Sequence, residues 1–381
     1  MKKLLLLLLT LASAFAYIFK HHQSPLGSPL SDSFTDSEIA KIESLLLDTV
    51  LRVPDTSAPK KETVRLGEKL FNDEELSASL TVSCATCHTP EANFHDINNM
   101  TKEITPAGPH RAMSIRGVSE QSWFFWNGRA DSLWAQILEA LKNEHGLSAS
   151  NAVQIVCSKY SNDYSNALSF CSTTLDTQKQ FVEIGKIIAS YVETLNHYWT
   201  RFDEFGYQLL SHDSVDTLLM SEDEIQGLKL FLDSNKTGCI DCHNGSRFTS
   251  EGFYAIGTGS SASNDRLLGA QQYQQSRYRC DLWEQSQDCA NYQYVRLTGS
   301  DLSGAFKVPS LRNLKDSPRF MHDGRFDSLA QVLDFYKNPY SYPLSHTDVR
   351  PLRLMPHQRE QLLLFLKAIN DEYSVSFKHK L

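Results

Sequence analysis

Apolar residues recur at three- and four-residue intervals in several separate stretches of the chain. This spacing predicts amphipathic helices over residues 63–72, 184–198, 221–233 and 356–369. Ser221 followed by Glu224 makes a capping box for the third helix, and Pro356 stands at the start of the fourth, where proline is favoured. The pattern therefore predicts a mainly helical fold.

The first 37 residues have a different character. A basic start precedes an apolar run from Leu4 to Phe19, and small residues at 12–16 offer cleavage sites. Because the run is shorter than the roughly 20 residues of a membrane-spanning helix, we interpret residues 1–19 as a secretory signal peptide. An uncleaved N-terminal anchor is the alternative. Residues 20–37 look like a flexible leader, and both interpretations predict a periplasmic protein.

Length and composition narrow the class of protein. The chain has 381 residues, 8 Cys and a net charge of −8. This length suggests two domains, and the Cys are too few for a disulfide-dense scaffold. The mild acidity gives no reason to expect a nucleic-acid partner, because nucleic-acid binders usually carry a basic patch.

Four of the Cys belong to two C-x-x-C-H segments, CATCH at 84–88 and CIDCH at 239–243. This spacing attaches a c-type haem. The two thiols form thioether bonds to the porphyrin, and the adjacent His88 or His243 reaches the iron. A structural zinc site is the alternative, but the pairs lie far apart and a His follows each. The predicted haem anchors are Cys84, Cys87, Cys239 and Cys242.

The other four Cys form two close pairs, Cys157 with Cys171 and Cys280 with Cys289. In an oxidising compartment each pair is expected to close a small disulfide loop, with free buried thiols as the alternative. The second pair lies in a polar stretch, 257–298, which we interpret as an insertion looped out over the second C-x-x-C-H segment. Residues 205–220 are interpreted as a linker.

The two halves of the chain repeat one order of motifs. Each has a Leu-Phe pair, the C-x-x-C-H segment, a Ser-x-Arg segment and then Gly-Arg-x-Asp-Ser-Leu. The Ser and the Gly of the last two segments are 14 residues apart in both halves, at 114 and 128 and at 310 and 324. We interpret this as a tandem duplication of one haem-binding unit. In this alignment Trp126 stands opposite His322, so the halves differ in chemistry.

These motifs resemble those of the bacterial dihaem cytochrome c peroxidases, including the MauG-like branch. The resemblance implies an all-α fold of two cytochrome c-like haem domains in tandem, one over 38–205 with the peroxidatic haem and one over 206–381 with the electron-transfer haem. The two covalently attached haem c groups would face each other across the domain interface. The resemblance covers about 39–369 and rests on LGEKLF (66–71), SCATCH (83–88), FFWNGRADSLWAQ (124–136), CIDCH (239–243), FKVPSLRN (306–313) and FMHDGRFDSLAQVLDFY (320–336).

The resemblance also assigns roles around the first haem. Glu144 is similar to the family's distal acid, which relays a proton between the peroxide oxygens, and a solvated surface carboxylate is the alternative. Trp126 is similar to the Trp that carries electrons between the haems, and a core aromatic is the alternative. Resting inactive members place a distal His where this chain has Ile104, so we expect an open iron position. His95 and His110 are interpreted as surface residues or neighbours of the site rather than ligands.

Around the second haem, the resemblance points to Tyr336. This residue stands 14 positions after His322, where peroxidases have a Met and the MauG-like enzymes have a Tyr ligand. The alternatives are that Tyr336 only packs against neighbouring aromatics, or that Met321 is the ligand. His322 is expected to serve the haem environment at the interface.

Two further expectations concern charge. Arg129 and Arg325 are expected to pair either with haem propionates or with Asp131 and Asp327. The family commonly holds calcium between its domains, but Arg111 stands here where an Asn ligand is expected, and a cation cannot coordinate calcium. Calcium is therefore doubtful, with backbone carbonyls near residues 307 and 309 as alternative ligands.

Three functions follow from these features. The first is an exported dihaem peroxidase that reduces hydrogen peroxide to water with electrons from a small protein, such as a cytochrome c or a cupredoxin. The second is a MauG-like oxidase that uses peroxide to modify side chains of a partner protein, favoured by Tyr336 and the missing distal His. The third is a dihaem electron-transfer cytochrome, against which Glu144 argues. The first is favoured by base rate, and a homodimer is common in that branch.

Overall fold

The computed structural model describes most of the chain after the predicted leader. No helix within the described ranges is both long and apolar enough to cross a membrane. The predicted signal peptide at 1–19 lies outside them, as does most of the leader. The described residues are 33–48, 58–97, 101, 110–211, 215–258, 265–284, 289, 295–339 and 347–373.

Helices dominate the fold, as the apolar spacing predicts. Two short strands, β1 (Phe253–Ala255) and β2 (Ala305–Lys307), form an antiparallel pair. The helices are α1 (Asp36–Leu45), α2 (Ala58–Phe71), α3 (Cys84–Cys87), α4 (Leu133–Asn143), α5 (Ala149–Tyr160), α6 (Thr177–Val192), α7 (Arg201–Leu210), α8 (Glu222–Leu232), α9 (Cys239–Cys242), α10 (Asp265–Gln275), α11 (Cys280–Trp283), α12 (Leu329–Phe335) and α13 (Pro356–Ala368).

The predicted helix limits hold best where a cap is visible in the sequence. α8 begins after Ser221, and the Ser221–Glu224 capping box is formed. α13 begins at Pro356, as predicted. The limits 184–198 are wrong, because α6 runs from 177 to 192: the Asp176 carboxylate accepts the Gln178 N–H and starts the helix earlier.

Two hydrophobic cores hold the helices together. The first lies among α2, α4, α5 and α6, and the second among α1, α7, α8 and α13. In each core the helix before the C-x-x-C-H segment meets the last helix at a glycine. A Cβ would lie 2.4 Å from the Ile187 carbonyl oxygen at Gly67, and 2.0 Å from that of Gln361 at Gly227. Glycine therefore sets the close approach in both halves.

The prediction of a linker over 205–220 is wrong for its first part. α7 runs from 201 to 210, and a capping box at Thr200 starts it. Phe202, Phe205 and Leu209 recur at helical spacing and are buried in the second core. Residue 205, the predicted end of the first domain, therefore lies inside a helix of the second core.

A buried ion pair ties α7 to the second Ser-x-Arg segment. The Arg312 guanidinium donates to both carboxylate oxygens of Asp203, at 2.9 and 2.7 Å, and both side chains are almost completely buried. Burial alone would raise the pKa of Asp203, but Arg312 and the hydrogen bonds from Thr200 hold this pKa below its ordinary value.

Asp203→Asn is expected to lower the free energy of unfolding by about 3–5 kcal/mol, because the Arg312 charge would stay buried without its partner. Since folding lowers the pKa of Asp203, its stabilisation is present above the unfolded pKa and is lost as pH falls through the folded pKa. The variant should therefore lose part of the acid sensitivity of unfolding. Urea unfolding at several pH values measures both effects.

The control is Asp371→Asn, which removes a more exposed contact with Arg201 and should cost less than about 1 kcal/mol. Equal, small losses in the two variants would contradict a stabilising role for the buried pair.

The described part of the polar stretch 257–298 lies elsewhere than predicted. Instead of covering the second C-x-x-C-H segment, this part packs on the first half. In α10, Tyr273 donates its hydroxyl to Asp131 at 2.9 Å and Arg266 donates to the Asn127 carbonyl at 2.9 Å. Tyr278 is buried in the first core beside Phe181. Aromatic side chains with a polar tip make this burial favourable in a stretch that reads as polar.

Both predicted disulfides are confirmed. Cys157 is bonded to Cys171, which joins α5 to the turn before α6, and Cys280 is bonded to Cys289 within the polar stretch. The backbone N–H of Cys280 also donates to the Asp131 carboxylate. The second disulfide therefore anchors the polar stretch to the first half.

The predicted duplication is visible in the backbone. An isolated β-bridge pairs Phe124 with Ala130, and another pairs Phe320 with Phe326 at the equivalent positions of the second half. Each bridge is followed by a serine that caps a helix, α4 in the first half and α12 in the second. The sequence repeat is therefore also a repeat of local structure.

Candidate active site

Both C-x-x-C-H segments open onto one cavity shared by the two halves. Its volume is about 720 Å³, within the range typical of ligand and cofactor sites. The short helices α3 and α9 carry the two Cys of each segment into its wall. Other predicted site residues in the wall are Trp126, Glu144, Met321, His322 and Tyr336.

The two motif histidines are oriented in the same way. Nδ1 of His88 lies 3.4 Å from the Phe94 carbonyl oxygen, and Nδ1 of His243 donates to the Phe248 carbonyl at 2.9 Å. A carbonyl at Nδ1 fixes the tautomer and leaves Nε2 as the metal-binding nitrogen. Burial lowers the pKa of both rings, which favours the neutral form that binds metal.

The four motif Cys are free thiols and do not assemble a zinc site. Within the described ranges, the only metal-sized group of His, Cys, Asp and Glu atoms is Cys280, Glu284 and Cys289, and its two Cys form a disulfide. Each segment instead offers two thiols and an oriented His on a large cavity. This donor set fits a haem at each segment.

Glu144 follows the last residue of α4, at the edge of the cavity. Its Oε1 lies 3.5 Å from Nη2 of Arg129, and the Arg129 guanidinium stacks on the ring of Phe125. The next residue, His145, is buried with its Nδ1 2.7 Å from the Leu76 carbonyl oxygen. Arg129 therefore lies beside the Glu144 carboxylate, and the buried His145 fixes the chain next to it.

Of the two alternatives for these arginines, the pairing of Arg129 with Asp131 and of Arg325 with Asp327 is wrong. Each Asp contacts another group. Asp131 accepts a hydrogen bond from the Tyr273 hydroxyl, and Asp327 forms an ion pair with Arg319. Arg325 pairs with Asp323 at 2.6 Å.

Trp126 and His322, the equivalent residues of the two halves, meet at the cavity wall. Both are buried, and their ring centroids are 6.4 Å apart. Trp126 Nε1 donates to the Arg111 carbonyl at 3.0 Å, and His322 stacks on Phe306 with centroids 3.8 Å apart. Burial lowers the pKa of His322 to about 4, so this ring is neutral at neutral pH.

The two predicted candidates for the second haem's distal ligand, Tyr336 and Met321, both line the cavity. Tyr336 follows α12, and its ring centroid lies 5.6 Å from that of Phe335. Burial raises the pKa of its hydroxyl above the ordinary value. Met321 has a left-handed backbone (φ 67°), and its carbonyl accepts from Nε of Arg111.

The two histidines considered near the first haem are not surface residues, so that part of their interpretation is wrong. His95 is 2% exposed, with Nε2 2.7 Å from the Asn313 carbonyl oxygen of the other half. His110 places Nε2 3.0 Å from Oδ2 of Asp265 in α10. Ile104, on which the expected open iron position rests, lies outside the described residues.

The wall also holds two charged side chains for which the sequence predicted no role, Asp265 and Lys307. No motif or spacing distinguishes Asp265 from the other polar residues of the stretch 257–298. Lys307 is buried, with Nζ donating to Gln121 Oε1 at 2.9 Å, and the duplication places it opposite Arg111. The sequence signal for Lys307 is therefore its equivalence to Arg111 in the duplication.

A helical fold with two oriented C-x-x-C-H segments on one cavity is typical of two-haem redox proteins. The family described as di-haem cytochrome c peroxidase matches residues 61–209. The methylamine utilization protein MauG of Methylorubrum extorquens is 28% identical over 320 residues, which cover 82% of this chain and 79% of that protein. A cytochrome-c peroxidase of Pseudomonas sp. strain SCT is 26% identical over 326 residues, covering 84% and 83%.

Solved structures agree on the fold. The diheme peroxidase BthA of Burkholderia thailandensis superposes with a TM-score of 0.58 at 20% identity, covering 86% of this chain and 89% of that one. A MauG-like protein associated with microbial copper homeostasis gives a TM-score of 0.60 at 20% identity, covering 92% and 96%. The chain therefore resembles the dihaem cytochrome c peroxidase and MauG-like family, and these relatives support an oxidoreductase of the peroxidase type.

Proposed function

We propose that the protein is an exported dihaem c-type peroxidase that reduces hydrogen peroxide to water with electrons from a small redox protein, a cytochrome c or a cupredoxin. One observation carries the proposal: two C-x-x-C-H segments with oriented histidines share a cavity whose wall also holds Glu144 and Trp126. Relatives named cytochrome-c peroxidase support it.

Cys84, Cys87 and His88 would hold one haem, and Cys239, Cys242 and His243 would hold the other. A bound haem c supplies an iron that reacts with peroxide or passes electrons. We place one haem domain around each hydrophobic core, with the boundary before α7 because that helix belongs to the second core. Calcium is not included, because the Arg111 guanidinium donates to the carbonyls of Met321 and Ala112 where the two halves meet.

The residues of the cavity wall supply proton and electron transfer. Reducing one hydrogen peroxide takes up two electrons and two protons and gives two water molecules. The Glu144 carboxylate accepts a proton from one peroxide oxygen and delivers it to the other, and Arg129 keeps the carboxylate beside the first segment. Trp126, in contact with His322 of the second half, carries electrons between the halves.

Export is supported by the disulfides and by the predicted signal peptide. The bonds Cys157–Cys171 and Cys280–Cys289 are typical of proteins that fold outside the reducing cytoplasm. We therefore propose a periplasmic location.

A second function, a MauG-like oxidase that modifies a partner protein, is favoured by the position of Tyr336. This Tyr lies on the same cavity wall as Cys239 and Cys242, and relatives include proteins named MauG. A phenolate is a hard anionic ligand that favours oxidised iron, so an enzyme with this ligand is suited to holding oxidising equivalents rather than passing electrons rapidly.

A steady-state assay with hydrogen peroxide and reduced cytochrome c or reduced cupredoxin separates these functions. We expect rapid oxidation of the donor that depends on peroxide. Slow turnover with a long-lived oxidised state would support the MauG-like function instead. Six-coordinate iron that does not react with peroxide in either haem would leave only electron transfer and overturn the proposal.

A further inference from the structure

The duplicated halves exchange backbone hydrogen bonds at two equivalent residues. The Arg111 N–H donates to the His322 carbonyl, and the Lys307 N–H donates to the Trp126 carbonyl, both at 2.8 Å. Arg111 and Lys307 occupy equivalent positions in the two halves, as do Trp126 and His322. A local pseudo-twofold therefore relates the two contacts, and each half presents one cation beside them.

The side chains break this symmetry. The Arg111 guanidinium carbon lies 5.6 Å from the centroid of the Trp126 ring, within the distance of a cation–π interaction. The Lys307 ammonium group donates instead to Gln121. Only one of the two equivalent cations therefore faces the indole that we propose as the electron carrier.

Several contacts fix the Arg111 guanidinium in this place. Nε donates to the Met321 carbonyl at 2.9 Å and Nη1 donates to the Ala112 carbonyl at 3.2 Å. The Arg111 carbonyl in turn accepts from Trp126 Nε1 at 3.0 Å. Burial lowers the pKa of Arg111 to about 10, while the negative charge of Asp96 favours the protonated form. The side chain is therefore a fixed cation at neutral pH.

We propose that Arg111 is a positioning residue that tunes Trp126: its backbone carbonyl orients the indole, and its guanidinium makes removal of an electron from the indole harder. The inference rests on the proposed function, because it assumes that Trp126 carries electrons. In each transfer Trp126 loses one electron toward the first haem site and regains one from the second, while peroxide is the final oxidant. A cation near the ring disfavours the electron-deficient indole. Arg111 therefore shortens the lifetime of oxidised Trp126, the state in which the indole lacks one electron.

The first test uses the resting holoprotein and needs no turnover. Ultraviolet resonance Raman spectra of the parent and of Trp126→Phe are subtracted to isolate the Trp126 bands. The same subtraction is made in an Arg111→Gln background. We expect the ring bands of Trp126 to change, because the charge is lost, and the band sensitive to the indole N–H bond to stay, because its acceptor is a backbone carbonyl.

The second test follows oxidised Trp126 by electron paramagnetic resonance after hydrogen peroxide is added without a donor. We expect the signal to last about tenfold longer in Arg111→Gln, from the size of a partly desolvated cation–π interaction. Arg111→Lys should restore the parent lifetime, since it keeps the charge. The matched control is Lys307→Gln, which removes the equivalent cation and should leave the lifetime and the Trp126 ring bands unchanged.

The outcomes separate this inference from the proposed function. If Trp126→Phe leaves both donor turnover and the peroxide-induced signal unchanged, Trp126 is not the carrier and the proposed role fails. If Trp126→Phe impairs turnover but Arg111→Gln changes neither the ring bands nor the lifetime, the role of Arg111 is overturned. An equal effect of Lys307→Gln would also overturn it. Arg111→Met, which keeps length without charge, is measured in the same way should Arg111→Gln not fold.

Discussion

Glu144→Gln is expected to slow the reaction with hydrogen peroxide by about 10²–10⁴-fold, the usual contribution of a positioned acid–base group. Gln keeps the shape of the side chain and an Oε1 atom that can face Arg129. Its amide cannot accept and return a proton as a carboxylate does. Stopped-flow absorption of the holoprotein mixed with peroxide measures the rate directly.

Two comparisons make this result specific. Glu91→Gln neutralises an exposed carboxylate shortly after the first C-x-x-C-H segment and should leave the rate unchanged. Arg129→Gln should slow the reaction less than Glu144→Gln, because it removes only the group that holds the carboxylate. A wild-type rate in Glu144→Gln would show that another residue moves the proton.

Tyr336→Phe is expected to change the optical and electron paramagnetic resonance spectra of the second haem, because a ligand to its iron is lost. Burial raises the pKa of the Tyr336 hydroxyl, so the phenol stays neutral unless a cation beside it stabilises the phenolate. A ferric haem iron would be such a cation, and if Tyr336 were its ligand, loss of the phenolate would make that iron easier to reduce. Spectra of the resting holoprotein and a redox titration measure both effects.

Tyr373→Phe is the control, since Tyr373 packs against the same core without lining the cavity. An unchanged second-haem spectrum in Tyr336→Phe would remove Tyr336 as a ligand. Met321→Leu would then be the informative variant, because Met321 lines the same cavity.

The sequence was sufficient for features that depend on local patterns. The C-x-x-C-H segments, the Ser221 capping box and the two Cys pairs each involve residues that are close in the chain, and the structure forms the capping box and both disulfides. The duplication was also readable, because equivalent turns such as those at Phe124 and Phe320 need the same residue types.

Features that depend on long-range packing could not be read in this way. The stretch 257–298 is polar overall, yet Tyr273 and Tyr278 bury their rings on the first half and use their hydroxyls in hydrogen bonds. Composition alone does not show which surface such residues will cover. The same limit applies to the site: Glu144 and Arg129 are 15 positions apart, and only the fold brings them together.

Each C-x-x-C-H segment is expected to carry one covalently bound haem in a peroxide-reducing enzyme. The most direct measurement is the intact mass of the denatured protein after expression with the cytochrome c maturation machinery, compared with Cys84→Ala/Cys87→Ala and Cys239→Ala/Cys242→Ala variants. We predict a mass of the chain plus two haems in the parent and plus one haem in each double variant. A parent mass without haem, or with one haem that both double variants retain, would contradict this expectation.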